Sequence, residues 1–108
     1  MRHILIVDED HAAAERLAGV AAASGFTSAT ARSLREAHGQ IALQKPDIVF
    51  VDVRLPDGSG MQLLQEGGLL DGAEVVLLAD RPTFDSSIEA LRLHAADYLK
   101  KPVSELQL

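Results

Sequence analysis

Acidic residues stand directly after the first apolar run of this chain and at the end of the third, and a lysine follows the fifth. Asp8 and Glu9 come after the first run, Asp52 ends the third, and Lys101 lies beyond the fifth. The carboxyl ends of parallel strands meet at one edge of a sheet, and α/β proteins bind their ligands at that edge. If the first and third strands are neighbours, the three carboxylates converge there.

Clustered carboxylates repel each other unless a cation neutralises them. Mg²⁺ suits a site made of a few carboxylates, waters and a phosphate oxygen, and a lysine in the same cleft balances the charge of a phosphoryl group. Such an arrangement makes an aspartate a nucleophile towards phosphorus, because the metal screens the approach of two anions. The residue types therefore indicate phosphoryl chemistry assisted by Mg²⁺, with Asp52 as the candidate nucleophile.

Each of these residues also has a plainer explanation. Asp8 can be a polar residue at a strand end, with Asp10 capping the helix that follows. Asp52 can be a turn residue, and Lys101 can be a solvated lysine. We favour the chemical interpretation because the sheet edge brings Asp8 and Asp52 together, and because Pro102 fixes the chain after the lysine.

Short apolar runs alternate with helical patterns along the whole chain. Strands are predicted at 4–7, 26–31, 47–52, 74–78 and 96–99, helices at 10–24, 34–44, 61–66 and 83–93, a loop at 55–60, and the opening of a last helix at 104–106. This alternation predicts an α/β fold, in which a parallel sheet carries helices on both faces because each crossover is right-handed.

Two of the helices carry more detailed local signals. Ser33 is predicted to cap the second helix, with Glu36 three residues later completing a capping box. In the fourth helix, Phe84, Ile88 and Leu91 share one side and are predicted to face inward.

Composition excludes several classes of function. With 108 residues the chain has room for one domain. It has no cysteine, which excludes disulfides and thiolate metal sites and fits a reducing cytoplasm. A net charge of −6 and an aromatic content of 4% argue against direct nucleic-acid binding by this segment. The apolar run at the start is too short for a signal peptide or a membrane span.

Three motifs in order resemble the receiver domain of two-component response regulators. They are Val7-Asp8-Glu9-Asp10, the set Asp47, Asp52, Pro56 and Gly60, and Asp97-Tyr98-Leu99-x-Lys101-Pro102. The resemblance spans essentially the whole chain. It implies a flavodoxin-like doubly wound sheet of five parallel strands in the order 2-1-3-4-5, with the fifth helix truncated.

The resemblance also implies roles for individual residues. Asp52 matches the phospho-acceptor and a metal ligand, and Lys101 matches the lysine of the site. Asp8 and Glu9 match the acidic pair that holds Mg²⁺, and Arg54 would offer the metal its backbone carbonyl. Two further implied features are a cis bond between Lys101 and Pro102 and a switch role for the aromatic residue Tyr98. Tyr98 can equally be a core aromatic with an exposed hydroxyl.

The stretch from Asp85 to Pro102 is similar to receivers of the NtrC type (σ54-dependent regulators). This likeness implies a sensor histidine kinase as the phosphoryl donor. It also implies an output domain of the AAA+ and DNA-binding kind after the receiver, and a homodimer is possible. We therefore expect residues 1–108 to be the N-terminal receiver of a longer transcriptional regulator.

Two positions depart from the family pattern. The fourth strand normally ends in Thr or Ser followed by a small residue, but here Ala79 and Asp80 stand there. Ala79 cannot donate a hydrogen bond to a phosphoryl group, which is a loss of about 1.5–3 kcal/mol, and Asp80 adds a negative charge nearby. Switching equilibria are themselves only a few kcal/mol, so we expect weaker coupling from Asp52 to Tyr98.

Three functions compete on this sequence. The first is the phosphoryl-accepting receiver, a signalling domain and not an enzyme. The second is a degenerate receiver that serves as a dimerisation or docking module without phosphate, suggested by Ala79 and Asp80. The third is a phosphatase of the haloacid-dehalogenase type, because Asp8-Glu9-Asp10 follows a strand. That family needs a second acidic pair late in a longer chain, and no such pair is present.

Overall fold

A computed structural model describes residues 2–66 and 68–101. Its strands are β1 (His3–Val7), β2 (Thr27–Ala31), β3 (Ile48–Asp52), β4 (Arg54–Leu55), β5 (Gly58–Ser59), β6 (Glu74–Ala79) and β7 (Asp97–Lys100), and its helices are α1 (His11–Ala23), α2 (Leu34–Leu43), α3 (Gln62–Gln65) and α4 (Phe84–Arg92). The predicted elements up to β7 are all present. The helix expected at 104–106 and the bond between Lys101 and Pro102 lie outside the described residues.

The main sheet has five parallel strands in the order β2-β1-β3-β6-β7. Without the two-residue strands β4 and β5, this is the predicted order 2-1-3-4-5, and the flavodoxin-like α/β fold is confirmed. β1 is buried along its whole length, as expected for a central strand covered on both faces. β2 is an edge strand, which explains why its Thr and Ser residues are tolerated.

The side chains of the central strands alternate between two apolar layers. Ile4 and Ile6 point to the face that α1 covers, whereas Leu5 and Val7 point to the face covered by α2, α3 and α4. The buried helix side chains are Ala14, Leu17 and Ala21 on the first face, and Leu34, Ala37, Ile41, Leu63 and Ala90 on the second. No helix in residues 2–66 or 68–101 combines the length and apolar character needed to cross a membrane.

The predicted cap of α2 is present, but the capping box is only half formed. The hydroxyl of Ser33 accepts the N–H of Glu36 at 3.1 Å. The carboxylate of Glu36 accepts the N–H of Arg32, also at 3.1 Å, and not that of Ser33. The glutamate therefore reaches one residue beyond the cap and binds the preceding chain instead.

The segment predicted as a loop at 55–60 contains a small antiparallel hairpin. Arg54 pairs with Ser59, and Leu55 pairs with Gly58, whose φ of 147° suits only glycine. At the tip of the hairpin, the Asp57 carboxylate accepts the backbone N–H groups of α2 residues Leu34 and Arg35, at 2.8 and 3.0 Å.

These two bonds fix the hairpin to the first turn of α2 and add to the cap from Ser33. The N–H of Leu34, more than that of Arg35, holds the pKa of Asp57 below its usual value. The segment that follows Asp52 is therefore held by a neighbouring helix.

The predicted inward face of α4 is wrong. The Phe84 and Leu91 side chains are 79% and 71% exposed, and Ile88 is 39% exposed. The buried residue of this helix is Ala90. The spacing correctly placed the three large side chains on one side, but such spacing does not show which side of a helix meets the sheet.

His38 joins α2 to the end of α3. Its Nδ1 lies 2.8 Å from the carbonyl oxygen of Leu34, and its Nε2 lies 2.7 Å from a carboxylate oxygen of Glu66. Only the protonated ring has an N–H on both nitrogens, so the charged form satisfies both acceptors. The bond to Leu34, followed by that to Glu66, raises the pKa of His38 above about 6.5.

A raised pKa in the folded chain means that the stabilisation by His38 is complete below its unfolded pKa and is lost as pH rises through its folded pKa. We expect the difference in unfolding free energy between the native chain and His38→Gln to shrink as the pH rises above about 6.5. Because the pair is half exposed, the change should be about 1 kcal/mol or less. Urea unfolding at several pH values measures it.

His11→Gln on α1 is the matched control. Its ring lies 3.7 Å from Glu15, and both side chains are well exposed, so this pair should contribute little at any pH. A difference for His38→Gln that is as flat with pH as that of the control would contradict the assignment of the charged ring.

Candidate functional site

Sheet register brings two aspartates to one edge. Val7 of β1 pairs with Val51 of β3, so Asp8 and Asp52, the next residues, lie level with each other at the carboxyl ends of neighbouring strands. Both are buried, although they are charged residues. Burial of like charges needs a nearby cation.

Lys101 supplies this cation. Its ammonium donates a hydrogen bond of 2.8 Å to Oδ2 of Asp52 and lies 2.8 Å from Oδ2 of Asp8. The side chains are 12%, 9% and 1% exposed for Lys101, Asp52 and Asp8. One positive charge therefore bridges two buried carboxylates, and the three side chains that the sequence predicted at this edge meet in the fold.

The protonation of Lys101 reflects two opposing effects. Burial by itself lowers the pKa of a lysine, because it disfavours the charged form. The carboxylates of Asp52 and Asp8 outweigh this effect, and the pKa of Lys101 lies above its usual value. The lysine is therefore a fixed positive charge at neutral pH.

The remaining carboxylate oxygens are held by the backbone. Oδ1 of Asp8 accepts the N–H of Asp10, and Oδ1 of Asp52 accepts the N–H of Arg54, both at 2.9 Å. Oδ2 of Asp8 is buried with no hydrogen-bond donor aligned on it, and its contact with Lys101 is an ion pair. This oxygen can therefore contact a second cation besides Lys101.

Mg²⁺ fits this donor set. It is commonly held by one or two carboxylates, with waters and a phosphate oxygen completing its shell, and Asp8 with Asp52 provides the carboxylates. Glu9 and Arg54 lie at the same edge with exposed side chains. Within the described ranges 2–66 and 68–101, no three His, Cys, Asp or Glu side chains form a ready metal cluster. Glu9 therefore lies apart from the triad of Asp8, Asp52 and Lys101.

The two atypical residues lie beside the triad at the end of β6. Ala79 is buried, and its carbonyl oxygen accepts the backbone N–H of Lys101 at 2.8 Å. The Asp80 side chain is exposed. The end of β6, which lies between β3 and β7 in the sheet, therefore carries a methyl group and no hydroxyl.

Tyr98 lies three residues before Lys101 on β7 and is half buried. Its hydroxyl is 2.6 Å from the hydroxyl of Ser86 in the first turn of α4. This partner was not predicted from the sequence, and neither was the contact of Asp57 with α2. The spacing of Thr83 and Ser86 is the signal for a helix cap, but no local pattern connects Ser86 with a strand residue twelve positions away. Pro102, the other predicted pocket residue, lies outside the described part of the chain.

Gly60 packs directly behind the candidate acceptor. A Cβ atom at this position would collide with the carbonyl oxygen of Asp52 and with the side chain of Val51. The N–H of Gly60 also donates to the carbonyl oxygen of Val53 at 3.1 Å. The lack of a side chain thus allows the chain to turn back closely against the end of β3.

Comparison with known proteins gives a family match over nearly the whole chain. The family model described as the response regulator receiver domain matches residues 4–108. The chain is 33% identical over 102 residues to the acid tolerance regulatory protein ActR of Rhizobium meliloti (strain 1021), covering 94% of this chain and 53% of that protein. It is 32% identical over 108 residues to the phosphate regulon transcriptional regulatory protein PhoB of Pseudomonas aeruginosa, covering 97% and 47%.

A third relative is the KDP operon transcriptional regulatory protein KdpE of Escherichia coli K12, at 31% identity, with 99% of this chain and 48% of that protein covered. The chain thus spans about half the length of the curated relatives named here. These relatives give no support to the predicted likeness to the NtrC type.

Solved structures show the same fold. A CheY-like receiver domain protein from Methanospirillum hungatei JF-1 superposes with a TM-score of 0.90 at 25% identity, covering 98% of this chain and 86% of that one. A two-component response regulator from Clostridium difficile superposes with a TM-score of 0.89 at 29% identity, covering 96% and 86%.

Removal of the bridging charge should strongly destabilise the chain. In metal-free buffer, Lys101→Met leaves two buried carboxylates unpaired, and we expect a loss of about 3–5 kcal/mol in unfolding free energy. Asp52→Asn alone should lose much less, because Asp8 still pairs with Lys101. Added to Lys101→Met, it should recover part of the loss. Urea unfolding of the double-mutant cycle gives the coupling energy.

Lys100→Met is the control for this cycle, since the neighbouring lysine is exposed and should change stability by about 0.5 kcal/mol or less. Equal effects of the two lysine substitutions, or additive effects of Lys101→Met and Asp52→Asn, would contradict the bridging role.

Gly60→Ala should destabilise the chain by about 1–3 kcal/mol, because the added methyl group has no space against the Asp52 backbone. Gly39→Ala is the matched control: it lies in α2 with open space around it and should gain about 0.5–1 kcal/mol from helix propensity. Thermal unfolding compares the two. A neutral Gly60→Ala would show that the chain does not pack closely behind Asp52.

Proposed function

The chain belongs to the response regulator receiver family, and we propose that it accepts one phosphoryl group on Asp52 with Mg²⁺ bound beside it. The observation that carries this proposal is the buried triad of Asp8, Asp52 and Lys101 at the carboxyl edge of the sheet. A signalling domain that is modified once per event, and not an enzyme that turns over a substrate, fits this role.

Asp52 is prepared for attack on phosphorus by its two contacts. The N–H of Arg54 holds Oδ1, and Lys101 holds Oδ2, so the carboxylate is fixed before the donor arrives. An Asp52 oxygen forms the new bond to phosphorus as the bond from phosphorus to the donor breaks, and the donor group leaves with its electron pair. Lys101 then faces the added negative charge and stabilises it as a point charge.

Asp8 and Asp52 would hold Mg²⁺, with Glu9 and the backbone carbonyl of Arg54 as further ligands from the same edge. When bound, the metal neutralises the negative charge between the carboxylate and the incoming phosphoryl group. The buried Oδ2 of Asp8, which has no aligned donor, supports this assignment. After phosphoryl transfer, Asp8 and the phosphorylated Asp52 would carry about three negative charges against the one positive charge of Lys101, and a divalent cation would balance the difference.

The partners follow from the family. We propose a sensor histidine kinase as the phosphoryl donor. An output domain on the same polypeptide would respond to the phosphorylated receiver, with a homodimer as one form of the active state. Relatives about twice this length favour an output domain close in size to the receiver over the AAA+ and DNA-binding pair of the NtrC type. A cytoplasmic location, and no nucleic-acid contact by this acidic domain, complete the proposal.

Ala79 and Asp80 favour a second candidate, a receiver that docks or dimerises without phosphate. The buried methyl group of Ala79 offers no hydrogen bond to a phosphoryl oxygen, and Asp80 places a negative charge at the next position. Both features weaken a phosphate-driven change without altering the triad. The first candidate needs phosphorylation of Asp52, whereas the second works without it, so a chain that cannot be phosphorylated fits only the second.

Incubation with acetyl phosphate and Mg²⁺, followed by intact-mass measurement, separates them. We expect the native chain to gain the mass of one phosphoryl group, and we expect no gain for Asp52→Asn or for the native chain in excess chelator. Asp71→Asn, at an exposed aspartate away from the triad, is the control and should be modified like the native chain. A native chain that remains folded with Mg²⁺ and gains no mass would favour the phosphate-independent module.

A further inference from the structure

Ser86 is at the centre of a hydrogen-bond network at the start of α4. Its hydroxyl oxygen lies 3.0 Å from the carbonyl oxygen, the backbone nitrogen and the hydroxyl of Thr83, and 2.6 Å from the hydroxyl of Tyr98. A serine hydroxyl has one hydrogen to donate and two lone pairs. The Thr83 carbonyl, N–H and hydroxyl share these positions with the Tyr98 hydroxyl, and either hydroxyl can be the donor in the bond between α4 and β7.

This bond matters because, among residues 2–66 and 68–101, few other contacts hold α4. Its large apolar side chains are exposed, and Ala90 is its buried residue. An element with few buried apolar contacts is of low local stability. One hydrogen bond, worth about 1 kcal/mol, is therefore a considerable part of what holds the first turn of this helix to the sheet.

The same strand connects this bond to the pocket. Lys101, three residues after Tyr98, donates its side chain to Asp52 and its backbone N–H to Ala79. A change of charge at Asp52 therefore acts directly on the end of β7. Because Ala79 has no hydroxyl, its side chain offers no hydrogen bond through which β6 could form a parallel connection to a phosphoryl group.

We propose that Ser86 is the positioning residue for Tyr98, and that the bond between them couples α4 to the state of Asp52 in this chain. The part concerning the coupling rests on the proposed function, whereas the positioning of Tyr98 in the unmodified chain does not. Ser86 then supplies a side-chain hydroxyl for this coupling, which Ala79 cannot supply at the end of β6.

The composition of the chain makes this testable by spectroscopy. Tyr98 is the only tyrosine, and there is no tryptophan, so intrinsic fluorescence and its quenching report on this ring alone. Ser86→Ala should shift the emission and increase quenching of Tyr98 in the unmodified chain, and Ser86→Thr should restore the native signal. Ser87→Ala is the matched control, because the Ser87 hydroxyl also donates to the Thr83 carbonyl, at 2.9 Å, and should leave the signal unchanged.

The coupling is measured by amide hydrogen exchange of α4 before and after treatment with acetyl phosphate and Mg²⁺, with the occupancy of Asp52 taken from the intact mass. In the unmodified chain, Ser86→Ala and Tyr98→Phe should each lower protection of the first turn of α4 about fivefold. When the same fraction of Asp52 is phosphorylated, Ser86→Ala and Tyr98→Phe should also lack the change in α4 protection that the native chain and Ser87→Ala show.

An unchanged Tyr98 signal in Ser86→Ala would overturn the positioning role, and an unchanged α4 response at equal occupancy would overturn the coupling. A native chain that takes up no phosphoryl group would overturn the proposed function and the coupling together. In that case the fluorescence of the unmodified chain still decides whether Ser86 positions the ring.

Discussion

The ammonium group of Lys101 is the charge on which the functional edge of this chain depends. Asp8 and Asp52 are both buried, and two adjacent carboxylates removed from water are unfavourable unless a cation lies between them. The lysine is 49 residues from Asp52 in sequence and reaches it across the end of β6. The ion-pair triad therefore exists only when β1, β3, β6 and β7 have assembled in order, and it links the chemistry of the pocket to completion of the sheet.

The segment after Asp52 is held from three directions. Arg54 donates its N–H to the aspartate itself, the Asp57 carboxylate binds the first turn of α2, and Gly60 packs against the backbone at the end of β3. Each contact restricts the backbone that would offer a carbonyl oxygen to Mg²⁺. Such preorganisation lets a site bind and stabilise charge without rearrangement during the reaction.

In contrast to the segment after Asp52, α4 is held by few contacts among the described residues. Its apolar side chains face outward, and its first turn is attached to β7 through a hydroxyl pair instead of a packed layer. A rigid acceptor segment and a weakly held helix are therefore joined by one strand, β7, with Lys101 at its pocket end. Under the proposed function, this arrangement would allow a local charge event at Asp52 to bias a low-stability element.

The sequence by itself determined the features that depend on neighbouring residues. The apolar runs, the caps at Asp10 and Ser33, and the placement of acidic residues at strand ends are local patterns, and the structure contains them. The order of the strands followed from alternation together with the receiver resemblance. The convergence of Asp8, Asp52 and Lys101 could be expected because carboxyl ends of parallel strands share an edge.

Only the tertiary structure decided the contacts between distant segments. Periodicity shows which residues of α4 share a side but not which side meets the sheet, so the prediction for Phe84 and Leu91 was wrong. The bonds from Asp57 to α2 and from Tyr98 to Ser86 join residues whose types fit many partners, and only the packed geometry selects one. The physical reason is that local patterns reflect short-range preferences, whereas these contacts form between segments that come together only when the sheet and its helices have packed.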